Sequence, residues 1–297
     1  MNLALVLKGK LITVPQFKTK EILEIIHKEK PTLFPGVPTM YVAINNAPDV
    51  EKYDLSSIKV CISGAAPLPV EVQKQFEKIT KGARLREGYG LTETSPVTHC
   101  NPIFGENRPG SIGLPFPGVD AKIVDLADPS REMPVGEKGQ LAVKGPQVMR
   151  GYLNRDEDNR DIFYDGYILT GDIAIMDEDG YFYIVDRQKD MVIAGGYNIF
   201  PREIEEVLYT HEKILEVCVA GVPHEYRGET IKAYIVLKEG QSMTEQEVVD
   251  FCAKNLTKYK VPKIVEFREE LPKTMIGKIL RRALVEEETA KQEGKSS

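Results

Sequence analysis

Several chemistries are excluded by what the 297-residue sequence does not contain. It has no GxxxxGK(S/T) phosphate loop and no GxSxG nucleophile elbow. Its four histidines, His27, His99, His211 and His224, fall in no metal-ligand spacing, so it offers neither a hydrolase triad nor a zinc site. Cysteine is scarce. Cys61, Cys100, Cys218 and Cys252 lie far apart with no CxxC pair, which reads as buried reduced thiols in a reducing, cytoplasmic setting. The opening run MNLALVLKGK has no basic leader, and its apolar stretch is too short for a signal peptide or a transmembrane segment. Charge of one sign is not in excess: 39 Lys and Arg stand against 45 Asp and Glu, a net charge of -6. That balance gives no electrostatic reason to expect nucleic acid as a partner. No internal repeat is visible.

What is present is a chain long enough for two domains. Thr19–Lys28 carries an apolar helical stripe, Lys59–Ser63 is a short buried strand, and Pro69 opens a helix with Val72, Phe76 and Ile79 on one face. Strand–helix alternation of this kind predicts a parallel, layered α/β body. From about Gly110 the texture changes to short strand-like runs: Ala121–Asp125, Gln140–Lys144, Tyr167–Met176 and Tyr181–Asp186. The last two flank an Asp177–Gly180 turn, so an antiparallel sheet or barrel is expected. After Asp186 come a helix at Pro201–Thr210, strands at Leu215–Val222 and Ile231–Lys238, a helix at Thr244–Leu256 with a Thr244/Glu247 capping box, a strand at Ile264–Arg268 and a last helix beyond Gly277. The predicted fold is therefore an α/β body with an antiparallel β subdomain at about 110–186, together a large domain over 1–188, followed by a small α+β domain over 189–297.

Five segments carry residues suited to chemistry. In Glu87–Pro96, Gly88 and Gly90 allow a sharp bend around Tyr89, whose ring could stack on a flat base. Thr92 offers a hydroxyl to phosphate, and Glu93 a hard carboxylate oxygen suited to Mg²⁺. A plain Gly-rich turn with a buried Tyr explains the same spacing. Gly64, Ala65 and Ala66 follow a strand, where small residues admit a ligand to the backbone, although a ligand-free tight turn is equally consistent. Asp172 follows Gly171 inside a strand-like run and could hold a ribose diol, with Arg187 as a second contact; a bulge with a solvated Asp is the plainer account. Gly195 and Gly196 suit a tight turn or a narrow tunnel wall. Lys278, just after Gly277, could stabilise anionic charge as a point cation, or be a solvated lysine.

Each segment is weak alone, but their order and spacing resemble the adenylate-forming superfamily of acyl-CoA synthetases, luciferases and adenylation domains. The resemblance runs from about Thr13 to Arg282. It is nearest to bacterial long-chain fatty acid–CoA ligases, whose signature resembles Tyr164–Asp172 continued by Tyr183–Asp190. Family members often carry Trp where this chain has Tyr167. The resemblance implies an acid–thiol ligase using ATP, Mg²⁺ and coenzyme A on a fatty acid. Gly64, Ala65 and Ala66 would line the adenine pocket with Gly88, Tyr89 and Gly90. Thr92 would meet the α-phosphate, Glu93 the Mg²⁺, Asp172 and Arg187 the ribose. Lys189 would be the hinge, Gly195 and Gly196 would line the pantetheine tunnel, and Lys278 would be the catalytic lysine. Peripheral contact with a membrane stays open.

The family's Ser/Thr/Gly-rich phosphate loop, ending Pro-Lys-Gly, has no counterpart before Ser63. Asn2–Leu7 and Leu11–Val14 read as strands whose partners lie outside this sequence. The expectation is a fragment that lacks the front of the large domain and does not adenylate by itself, with a separately encoded N-terminal half as a candidate partner. A catalytically inactive remnant or interaction module, and a ligase for another carboxylic acid or a carrier protein, are the competing readings.

Overall fold

The structure, a computed structural model, describes residues 2–224, 228–274 and 277–293. Three sheets follow one another along the chain. In the first body, α1 (Asn2–Val6), α2 (Thr19–Glu29), α3 (Pro38–Asn45) and α4 (Val70–Ile79) accompany a sheet of order β1 (Val60–Ser63), β2 (Arg84–Gly90), β3 (Val97–Cys100) and β4 (Leu114–Pro115). Strands β1 and β2 are parallel and joined through α4; β3 and β4 run antiparallel. The stripe expected on α2 is used: Ile22, Leu23 and Ile26 are buried with Tyr41, Ile44, Phe76 and Leu85. Tyr41 is fully buried and donates its hydroxyl to the Phe34 carbonyl at 3.0 Å. That bond satisfies a group which would otherwise be costly to desolvate.

Two expectations are corrected here. Asn2–Val6 is a helix rather than a strand, and residues 11–14 form no regular element. Leu and Ala are good helix formers, and a strand needs a ladder partner, which neither run has among the described residues. Gly88–Gly90, expected in a loop, ends strand β2, because it pairs with Val97–Cys100 across a register shift.

The second sheet is antiparallel, as expected, with order β5 (Asp120–Val124), β6 (Gly139–Lys144), β8 (Tyr167–Met176), β7 (Phe163–Tyr164), and β9 (Phe182–Arg187) also paired with β8. A short helix, α5 (Asp156–Ile162), precedes β7. In the turn between β8 and β9 the Asp177 carboxylate accepts the N–H groups of Asp179 and Tyr181 at 3.1 and 2.9 Å. Ile112, Ile123, Leu141, Val143, Ile168 and Phe182 form this core.

The third sheet has order β11 (Tyr197–Ile199), β10 (Val192–Ala194), β13 (Gly228–Leu237), β12 (Ile214–His224), with β14 (Ile264–Phe267) parallel to β13. Alternation along β12 sends Val217 and Val219 to one core with Ile204 and Leu208 of α6 (Pro201–Tyr209) and Val248 and Cys252 of α7 (Glu245–Asn255). It sends Cys218 and Ala220 to another with Leu284 of α8 (Arg281–Glu293). Helices thus cover both faces of this α+β region. The Thr244/Glu247 capping box forms as read from the sequence.

Candidate functional site

The end of β2 makes one wall. A Cβ on Gly90 would fall 1.8 Å from the Pro96 carbonyl oxygen, so only glycine fits. The buried Thr94 hydroxyl accepts the Leu91 N–H at 2.9 Å and donates to the Pro96 carbonyl at 2.6 Å. This tight 3₁₀ turn, Thr92–Thr94, leaves Thr92 exposed and Glu93 half-buried at the mouth of a cavity. Glu93 accepts the Tyr152 hydroxyl at 2.6 Å. The opposite side of the wall is Gly64 and Ala65 after β1, and Ala65 is held at φ 67°, a left-handed conformation that costs a non-glycine residue about 1 kcal/mol.

A second wall comes from β8 and β9. Gly171 has φ 73°, and the Thr170 hydroxyl donates to the Leu141 carbonyl while accepting the Asp172 N–H. The resulting bulge turns Asp172 inward, where it is 3% exposed. Asp172 accepts the Tyr89 hydroxyl at 2.5 Å and lies 3.4 Å from the Arg187 Nε, its cross-strand neighbour. Burial pushes the Asp172 carboxyl above its ordinary range, and Tyr89, Arg187 and Lys278 pull it back. Burial, with Asp172 beside it, pushes the Tyr89 phenol well up.

The third contribution is a turn of the C-terminal region. The Thr274 N–H donates to the Lys278 carbonyl at 2.8 Å, and the Lys278 N–H to the Thr274 hydroxyl at 3.1 Å. Lys278 is half-buried, and its amine is pushed down mainly by burial and next by Arg187, while Asp172 and Asp190 raise it.

One cavity of about 890 Å³ therefore collects Gly64, Ala65, Gly88, Tyr89, Gly90, Thr92, Glu93, Asp172, Arg187, Lys189 and Lys278. Ala66 lines an adjoining cavity of about 440 Å³ together with Glu87 and Arg202. Gly195 and Gly196 are not brought to either. Both have positive φ and form the exposed two-residue turn joining β10 to β11. Lys189 sits in the 3₁₀ turn Gln188–Asp190 between β9 and β10. Sequence reasoning missed Tyr152, whose pairing with Glu93 has no local signal, and the direct Tyr89–Asp172 bond between motifs 83 residues apart. Among the described residues, no group of three or more His, Cys, Asp and Glu side chains could hold a metal ion, and no helix is long and apolar enough to cross a membrane.

Residues 1–153 match the family model described as AMP-binding enzyme, and residues 203–278 match its C-terminal domain. The chain belongs to the AMP-binding enzyme family. As an AMP-binding enzyme it is 55% identical to a long-chain-fatty-acid–CoA ligase of Bacillus subtilis over 97% of its own length and 51% of that protein. The chain thus spans about half the length of the curated relatives it matches. It is similar to ATP-bound MatB from Rhodopseudomonas palustris, with a TM-score of 0.87 and 34% identity, covering 96% of this chain and 56% of that one. Apo MatB, at 35% identity and the same coverage, gives a TM-score of 0.72.

Proposed function

We propose that this chain carries the adenine, ribose and lysine positions of an ATP-dependent long-chain fatty acid–CoA ligase. One observation carries the reading: Tyr89, Asp172, Arg187 and Lys278, from three separate stretches, meet at one cavity. The higher likeness to the ATP-bound than to the apo form of MatB supports an arrangement ready for the first half-reaction. The fatty acid as substrate rests on the Bacillus subtilis relative.

In this reading the acid's carboxylate oxygen attacks the α-phosphorus of ATP and pyrophosphate leaves. The CoA thiol sulfur then attacks the acyl carbon and AMP leaves. Two anions must meet in the first step. At about 4 Å and an effective dielectric near 20 their repulsion is about 4 kcal/mol, and a cation between them offsets it. Lys278 is that cation. Asp172 takes the ribose hydroxyls with Arg187 beside it, and the Tyr89 bond fixes the carboxylate's orientation for them. Gly64, Ala65, Ala66, Gly88 and Gly90 let the adenine approach the backbone, and Thr92 meets the α-phosphate.

Glu93 would hold Mg²⁺. A single exposed-side carboxylate fits that ion, which binds through one or two carboxylates and otherwise through water and phosphate. When bound, it neutralises phosphate charge. Lys189 serves as the hinge between residues 1–188 and 189–297. Gly195 and Gly196, exposed and away from the cavity, would reach the pantetheine arm only after rotation about that hinge. Four free thiols support a cytoplasmic setting.

The test is calorimetric binding of palmitoyl-sulfamoyl-adenosine, a stable mimic of the acyl-adenylate, to the purified chain. Binding is expected, with Asp172→Asn weakening it at least about tenfold through the loss of a charge-assisted bond. Equal affinity of the two proteins, or no gain from the acyl chain over sulfamoyl-adenosine alone, would refute the reading.

A further inference from the structure

The turn that bears Lys278 touches the first body at a residue that no sequence motif marks. Thr39, in the first turn of α3, donates its hydroxyl to the Gly277 carbonyl at 2.9 Å. The two residues are 238 positions apart. The carbonyl of Gly277 belongs to the same peptide unit as the Lys278 N–H, and that N–H donates to the Thr274 hydroxyl at 3.1 Å. This peptide plane is rigid. It is therefore held at both ends, by Thr274 from within the turn and by Thr39 from the other body.

The fit is close as well as polar. Gly277 has φ 82°, and a Cβ there would lie 2.7 Å from the Thr39 hydroxyl and 3.6 Å from Val37 Cγ2. Residue 277 is thus glycine for two reasons: backbone conformation, and the approach of α3. The turn itself is braced by the Lys273–Ile279 bridge and by the Gly277 N–H donating to the Thr274 carbonyl at 2.9 Å. The planar Gly277–Lys278 peptide unit passes any change at its Thr39 contact on to the aim of Lys278.

We propose that Thr39 is a positioning residue for the first half-reaction. By holding the Gly277 carbonyl it sets the peptide plane from which Lys278 projects into the cavity, and it must let go before the C-terminal region can turn for the second. This inference rests on the role given above to Lys278. The Lys278 amine faces Asp172 and Arg187 from the β8–β9 wall and Asp190 and Lys189 from the hinge turn. Its surroundings therefore report whether the turn is docked.

The experiment uses the purified chain with its lysines ¹³C-dimethylated, the Lys278 resonance being assigned by Lys278→Arg. In the wild type Lys278 is expected to titrate below the bulk of the lysines. Thr39→Val keeps the shape and removes the donor; Thr39→Ser keeps the donor. One intramolecular hydrogen bond shifts such an equilibrium by roughly three- to tenfold. Thr39→Val should accordingly speed amide exchange at 277–280 by that factor and move the Lys278 titration upward, with Thr39→Ser like the wild type. Exchange in α7 controls for folding, and Thr39→Ala gives a second reading should the valine variant not fold. Unchanged exchange and an unchanged Lys278 titration in the variants lacking the donor overturn the proposal. Palmitoyl-sulfamoyl-adenosine binding by the wild type is scored separately. Its absence would defeat the ligase reading while these docking readouts stand.

Discussion

Glu87→Gln probes a buried carboxylate at the seam between β2 and α6. Glu87 is 5% exposed. Its Oε1 lies 3.8 Å from the Arg202 guanidinium of α6, and its Oε2 has no hydrogen-bond partner among the described residues. Burial pushes its pKa up to about 7, against the pull of Arg202 and with a further push from Glu206. The rise from its ordinary 4.5 is roughly 2.5 units at 1.36 kcal/mol each, or about 3 kcal/mol. Because the folded pKa is raised, the folded chain keeps a proton between pH 4.5 and 7 that the unfolded chain has released. Stability therefore falls as pH rises through that window, and the whole cost is felt above it. Glutamine carries no such cost, and Arg202 keeps Glu206 at 3.8 Å and the Ile184 carbonyl at 2.8 Å as partners. Asp186, pushed by burial up to about 6, adds a slope of the same sign, but it does so in both proteins and drops out of their difference. The two proteins should melt close together at pH 5. At pH 8 the variant should melt higher by about 6 °C, at the roughly 2 °C per kcal/mol expected for a chain of this size. Thermal denaturation at several pH values between 5 and 8 reads this directly. A gap between the two proteins that stays constant over the range, or that closes as pH rises, would show that Glu87 is solvated and that the reasoning is wrong.

Gly90→Ala places a Cβ 1.8 Å from one backbone oxygen and 2.8 Å from the Val97 Cα, neither of which can swing aside. It should lower the melting temperature and weaken palmitoyl-sulfamoyl-adenosine at least about tenfold, costs in line with overpacking. In Gly88→Ala the nearest atom is the Ile62 Cγ2 at 3.2 Å, and a side chain can shift, so calorimetry should find binding nearly intact. Thr244→Ala removes the cap whose hydroxyl accepts the Glu247 N–H at 3.2 Å. It should cost about 1 kcal/mol, seen as a modest fall in melting temperature with binding of the adenylate mimic unchanged.

The elements legible in the sequence were those whose signal is local. The α2 stripe, the Asp177–Gly180 turn and the Thr244/Glu247 box each rest on residues within one or two turns of chain, and each folds as read. Non-local pairing decided the rest. Gly88–Gly90 reads as a loop by composition, yet becomes strand because Val97–Cys100 lies beside it. Asn2–Leu7 reads as apolar enough for a strand, and Asn2–Val6 becomes helix because no strand among the described residues pairs with it.

The candidate site divides along the same line. Tyr89, Asp172 and Lys278 could be picked out singly, because Gly beside an aromatic, an acid within a strand and a Lys after a Gly turn are each locally odd. Of the residues that bind the pieces together, Thr39 and Glu87 are locally ordinary. Thr39 is a threonine at the start of a helix, and Glu87 an acid opening a segment that reads as a loop. Arg202 is a basic residue in the first turn of a helix, a place that favours the opposite charge. That last misfit is the one trace of the seam left in the sequence. Arg202 is accommodated there because its guanidinium donates to the Ile184 carbonyl at 2.8 Å and lies within 3.8 Å of both Glu87 and Glu206, while its N–H is accepted by Asp186. A buried charge left with no partner is strongly destabilising. The proposed rotation of the C-terminal region would therefore expose Arg202 and Glu87 to water together, so that each is solvated as it loses the other. A seam built from paired charges can open by admitting water, which an apolar seam of equal area would resist.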